Sequence, residues 1–173
     1  MEFVDDHEAA TYTMLKQVLQ NHCAMHRLSL QAALGGCALP LAAVCVRLCA
    51  SGAQVQALLV STMTGLKQHT RAREASPPLT LLADEDELDT FIQSVQAHTL
   101  GQALGRLLYD AAEAERVTWE AAWRILLALT ADLLSMLTHQ YENTREERDA
   151  AIEQIGEVLT KQITHYRTQQ KRQ

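Results

Sequence analysis

Aromatic residues make up only 5% of this 173-residue chain, and it contains only three prolines. Alanine and leucine dominate instead, a mix that favours helices over the aromatic and β-branched residues of strands. No stretch alternates polar and apolar residues in the way that a half-buried strand does. The sequence therefore predicts an all-α fold, a compact bundle of about six or seven helices with no sheet. We expect residues 1–173 to form a single helical domain.

The chain also lacks the short motifs that identify common enzymes. It has no Glu-x-x-His for a di-iron bundle, no His-Glu-x-x-His, no G-x-x-x-x-G-K-[ST] phosphate loop and no G-x-S-x-G. No segment is clearly basic, and residues 76–118 carry eight acidic against two basic side chains, so nucleic acid is not an expected partner. The acidic N-terminus has no apolar run of signal-peptide type, which predicts a cytoplasmic protein with reduced thiols.

Helix-capping patterns divide the chain into segments. Three pairs fit a capping box, namely Ser51 with Gln54, Thr99 with Gln102, and Thr144 with Glu147. Thr118 can cap another helix. A separate helix is expected to end before Thr99, with Phe91, Ile92 and Val95 on its buried face. The polar stretch 67–78, which ends in two prolines, predicts a linker between two sub-parts, residues 1–70 and 79–173.

The stretch from Leu28 to Ala50 has no charged side chain before Arg47. Its uncharged part reaches the lower limit of a membrane-spanning helix. Two adjacent glycines and a proline dilute its hydrophobicity, and no basic cluster flanks it, so a membrane is not an expected partner. We interpret the stretch as a buried helical hairpin, in which Gly35 and Gly36 form the turn and Pro40 begins the second helix. Its cysteines would fill gaps in the core.

A metal site is an alternative role for two of these cysteines. Cys45 and Cys49 are four residues apart on a predicted helix, so both thiols point the same way. His22 and His26 have the same spacing on the first helix. Two cysteines and two histidines are an accepted ligand set for zinc. If the two helices face each other, the protein would be a metal-binding or metal-sensing bundle.

Paired acids offer an enzymatic alternative. Asp84 with Glu87, and Glu146 with Asp149, are each three residues apart on predicted helices. Such pairs can hold Mg²⁺ against a polyphosphate, which would make the protein a Mg²⁺-dependent nucleotide hydrolase. Each pair also lies at a predicted helix start, where compensation of the helix dipole explains acidic residues without any metal.

The C-terminal helix has a narrow apolar stripe with charged flanks, a pattern typical of helix pairing. The candidate partner-binding residues are Arg145, Arg148, Ile152, Ile155, Leu159, Ile163 and Tyr166. The stripe could pack within this chain, against another protein, or against a second copy of the chain. Because no motif fixes a reaction and no cofactor is indicated, our leading hypothesis is a non-enzymatic binding protein: an adaptor, a regulator or a small subunit of a complex.

Overall fold

The computed structural model describes residues 3–49, 51–73, 90–140 and 145–170. Within these ranges the chain forms six helices and no strand, which confirms the predicted all-α bundle. The helices are α1 (Asp6–His26), α2 (Leu30–Leu48), α3 (Gly52–Arg73), α4 (Thr90–Glu113), α5 (Trp119–Gln140) and α6 (Arg145–Gln170).

The six helices pack in three layers of two. Helices α2 and α5 form the middle layer, with α1 and α4 on one side of it and α3 and α6 on the other. From Ala121 to Met136 nearly every side chain of α5 is buried, so this helix has no solvent-facing side there. Its position between two outer layers explains why α5 carries apolar residues all round.

Helix α2 is unbroken, so the predicted hairpin within Leu28–Ala50 is wrong. Ser29 caps the helix by accepting a hydrogen bond from the Ala32 amide at 3.1 Å. Pro40 lies inside α2 and cannot donate to the carbonyl of Gly36, four residues earlier. That carbonyl oxygen lies against α4, only 2.9 Å from where a Cβ on Gly101 would be. The close approach of α4 therefore covers the break in the hydrogen-bond ladder.

Helix α4 is also unbroken, in contrast to the predicted start at Thr99. The Thr99 hydroxyl donates to the Val95 carbonyl within the helix at 3.0 Å. Phe91, Ile92 and Val95 were expected to be buried, and all three are exposed. The inward position is taken by Gln93, whose amide accepts from the Ser29 N–H at 2.9 Å and donates to the Arg27 carbonyl at 3.1 Å.

Two of the predicted helix caps are present in the structure, in contrast to the breaks predicted within α2 and α4. Ser51 and Gln54 form the reciprocal capping box at the start of α3, with bonds of 2.9 and 3.3 Å. Thr118 accepts from the Ala121 amide at 3.1 Å and so caps α5. Residues 67–73 of the predicted linker belong to α3, whereas the rest of the linker and Thr144 lie outside the described residues.

Among the described helices, α2 is long and apolar enough to cross a membrane by length and composition. In the most apolar 18-residue part of α2, 67% is buried inside the bundle. The core helix of a soluble protein meets the same criteria, so this property does not distinguish the two settings.

Candidate functional site

The structure does not bring together the four predicted zinc ligands. His22 and His26 lie side by side at the end of α1, with ring centres 4.4 Å apart. Cys45 lies fifteen residues after the start of α2, a distance of about 22 Å along the helix axis from the α1–α2 corner. Among the described residues, no group of three or more His, Cys, Asp or Glu side chains is arranged to hold a metal ion.

The cysteines pack as core residues, as the sequence predicts. Cys23, Cys37 and Cys45 are buried, and Cys49 is partly exposed. Burial raises the pKa of the Cys23 and Cys45 thiols to about 12, and it raises the pKa of Cys37 as well. A thiol whose pKa is raised is a poor nucleophile at neutral pH, because the thiolate is the reactive form.

The described acid pair does not form an open carboxylate site. Asp149 lies 3.4 Å from Arg71 and 3.3 Å from Arg148, measured between guanidinium nitrogen and carboxylate oxygen. Glu146 is exposed to solvent on the first turn of α6. The other pair, Asp84 and Glu87, lies outside the described residues.

The apolar stripe of α6 faces the inside of this chain. Ile152, Ile155, Leu159 and Ile163 are buried in the shared core, where α6 contacts α2, α3 and α5. Of the remaining predicted partner-binding residues, Arg148 is buried, Tyr166 is partly buried and Arg145 is exposed. Any partner that binds α6 in this arrangement would therefore contact residues outside the stripe.

A groove lies between α3 and α6, beside the stripe, and has a volume of about 600 Å³. We call it the α3–α6 groove; α3 lines it with Gln56, Leu59, Val60, Met63, Thr64 and Lys67, and α6 with Glu153, Gly156, Glu157, Thr160 and Lys161. Its centre is apolar, since Leu59, Val60 and Met63 line it from α3. Val60 is 60% exposed, so its side chain is open to solvent at the groove.

Met63 and Gly156 set the depth of the groove at its centre. A Cβ on Gly156 would lie 2.8 Å from both the sulfur and the terminal methyl of Met63. The glycine therefore lets the methionine lie directly against the backbone of α6. Because methionine is unbranched and flexible, its side chain can adjust to the shape of what enters the groove.

Charges of both signs line the rim of the α3–α6 groove. Lys67 on α3 lies 3.5 Å from Glu153 on α6, and this exposed pair spans one end. Glu157 and Lys161 line α6 further along. Two lysines and two glutamates give the rim no net charge, so apolar contact rather than charge would determine what binds there.

A buried polar network joins the layers, and no sequence motif indicates it. The carboxylate of Asp132 on α5 is fully buried, accepts a hydrogen bond from the Tyr12 hydroxyl and forms an ion pair with Arg73. Burial raises the pKa of Asp132, and the Tyr12 and Arg73 contacts oppose the rise. Because its members lie on α1, α3 and α5, spacing along the chain could not have revealed it.

Comparisons of this chain with models of protein families, with curated proteins and with solved structures found no match.

Proposed function

We propose that this chain is a non-enzymatic binding protein, an adaptor or regulator, that holds an amphipathic helix of another protein in the α3–α6 groove. The observation that carries the proposal is the apolar centre of the groove, open to solvent at Val60 and floored by Leu59 and Met63. Exposed apolar surface rimmed by polar side chains is typical of protein-interaction sites.

The walls of the groove favour a helix over an extended peptide. Both walls are helices, whose backbone amides and carbonyls are already paired along α3 and α6. They offer no free edge to which an extended strand could add its hydrogen bonds. A helical partner brings its own backbone bonds and needs only to place apolar side chains.

The dimensions of the groove suit a short helix. The lining residues of α3 run from Gln56 to Lys67, a rise of about 16 Å along the helix axis. That length accommodates about three turns of a partner helix, with apolar anchors at positions i, i+3 or i+4, and i+7. The neutral rim imposes no net charge on the partner.

The sequence hypothesis of a C-terminal interaction helix is modified by this proposal. The predicted stripe, from Ile152 to Ile163, stabilises the bundle in cis. The flank of α6 beside the stripe supplies one wall of the groove through Glu153, Gly156 and Thr160. Helix α6 therefore still belongs to the proposed interface, but through different residues.

A charge placed at the centre of the groove tests the proposal. Val60→Glu adds a carboxylate at an exposed position, so the fold should tolerate it, while an apolar partner would lose its central contact. Val95→Glu on α4 is the matched control, because Val95 is also an exposed valine, at 46%, on the far outer layer.

The measurement is quantitative co-purification from a lysate of the source organism with wild-type, Val60→Glu and Val95→Glu proteins of equal thermal stability. We expect a specific protein to be recovered by the wild type and by Val95→Glu, and to fall at least tenfold with Val60→Glu. Equal recovery by all three proteins, or no recovered protein, would contradict the proposal.

A further inference from the structure

Two imidazole rings lie together on the last two turns of α1. His22 and His26 are one helical turn apart, with ring centres 4.4 Å apart and planes inclined at 48°. Both side chains are partly buried. Because residues four apart share a face of a helix, both rings can present a nitrogen to the same point in space.

One of these nitrogens has no hydrogen-bond partner. The Nε2 atom of His22 is buried, and among the described residues no donor or acceptor pairs with it. A buried polar atom left unpaired is costly, so its persistence needs an explanation. Gln96 on the neighbouring helix α4 contacts the same ring through its backbone and its side chain. A second shell of this kind holds a ligating imidazole in a fixed orientation.

We propose that His22 and His26 bind a divalent transition-metal ion, with water or an external ligand in the remaining positions. Imidazole pairs suit Cu²⁺, Ni²⁺ and Zn²⁺. With metal–nitrogen distances of about 2.0–2.1 Å, two imidazoles that bind one ion in cis have ring centres about 4.5–5 Å apart. The observed separation of 4.4 Å is therefore close to what a shared ion requires.

The proposed site needs neither of the predicted cysteine ligands. Cys45 and Cys49 lie near the other end of α2, and no third His, Cys, Asp or Glu joins the histidine pair within the described ranges. Two protein ligands leave the other coordination positions open. The site is thus an exchangeable one rather than the closed four-ligand zinc site that the sequence offers as an alternative.

Isothermal titration of tag-free protein with NiCl₂, and separately with ZnCl₂, tests the proposal. The variants are His26→Ala and His26→Gln, which each remove one ligand from the partly exposed position. His98→Ala is the control, because His98 is an exposed histidine on α4 that contacts Gln102 at 3.0 Å and pairs with no second imidazole among the described side chains. Thermal unfolding without metal checks that all four proteins are folded.

We expect one equivalent of Ni²⁺ to bind to the wild type and to His98→Ala with the same affinity. Both His26 variants should bind at least about tenfold more weakly, since each leaves a single imidazole. Equal affinity in the wild type and the His26 variants would overturn the proposal, as would the absence of binding to the wild type.

Discussion

The buried cysteines link single residues to the stability of the whole protein. Cys23, Cys37 and Cys45 are neutral in the folded state, because burial raises the pKa of each thiol. In the unfolded chain a cysteine has a pKa of about 8.5. The folded protein therefore retains protons that the unfolded chain releases above that pH. The stabilising contribution of each thiol is complete below pH 8.5 and is lost as the pH rises towards the raised pKa of the folded state, which is about 12 for Cys23 and Cys45.

We accordingly expect stability to fall steeply in mild alkali. Each buried thiol lowers the free energy of unfolding by about 1.4 kcal/mol per pH unit above pH 9, or about 4 kcal/mol for three. Urea unfolding at pH 8, 9 and 10 in the presence of reductant measures the slope. Cys37→Ala should reduce it by about a third; an unchanged slope in this variant would show that Cys37 is not a buried neutral thiol.

Residue-scale features that depend on near neighbours were predictable. Ser51 and Thr118 cap their helices as expected, because a cap needs only the next few amides of its own chain. The core packing of the cysteines was predictable from their apolar neighbours. The alternative in which His22 and His26 meet Cys45 and Cys49 depended on how two distant helices face each other, and the described residues hold no such group.

At the scale of elements, the crossing of α2 and α4 explains why two predicted breaks are absent. Glycine, proline and threonine weaken an isolated helix, so Gly35, Gly36 and Pro40 predicted a turn. In the bundle, Gly36 and Gly101 instead allow the two helices to approach closely. The packing gained at the crossing compensates for the weak local propensity, and sequence periodicity alone cannot reveal it.

Two adjacent glycines in α2 provide an internal comparison. A Cβ on Gly36 would lie 2.7 Å from the Leu100 side chain and 3.0 Å from the Ala97 carbonyl, whereas a Cβ on Gly35 meets no atom of the described residues within 4 Å. Gly36→Ala should therefore destabilise the protein by about 1–3 kcal/mol. Gly35→Ala should stabilise it by about 0.5–1 kcal/mol, since alanine favours a helix.

Urea unfolding of the two glycine variants measures both effects under identical conditions. If both variants lost a similar amount of stability, the result would contradict the close crossing of α2 and α4 at Gly36. The same result would restore the predicted turn as the better description of the Gly35–Gly36 pair.

At the scale of the whole molecule, the network around Asp132 joins all three layers. Tyr12 lies in the α1–α4 layer, Asp132 in the middle layer and Arg73 in the α3–α6 layer. Removing Arg73 would leave a fully buried carboxylate without its cation. Such a loss costs more than the pair itself contributes, because the remaining charge stays in a medium of low polarity.

Two arginines of α3 distinguish a buried ion pair from an exposed one. Arg73→Ala should lower the free energy of unfolding by about 3 kcal/mol. Arg71→Ala removes a partly exposed pair with Asp149 at 3.4 Å and should cost less than about 1 kcal/mol. Chemical unfolding at pH 7 tests the comparison, and equal losses in the two variants would argue against the buried network.

The fold class was predictable because composition and helical periodicity extend over the whole chain. The groove was not, because its two walls, α3 and α6, are separated by more than seventy residues of sequence. The stripe and charged flanks of α6 led to the hypothesis of an interaction helix. The pattern could not determine which side of α6 the bundle would bury.

Photocrosslinking from position 60 tests the central claim, that the α3–α6 groove binds a helix of another protein. A photoreactive phenylalanine replaces Val60 in one protein and Val95 in the other, and both are illuminated in lysate from the source organism. We predict a single major adduct from position 60, joined to an amphipathic helix of the partner, and none from position 95. The same adducts from both positions, or none from position 60, would contradict the claim.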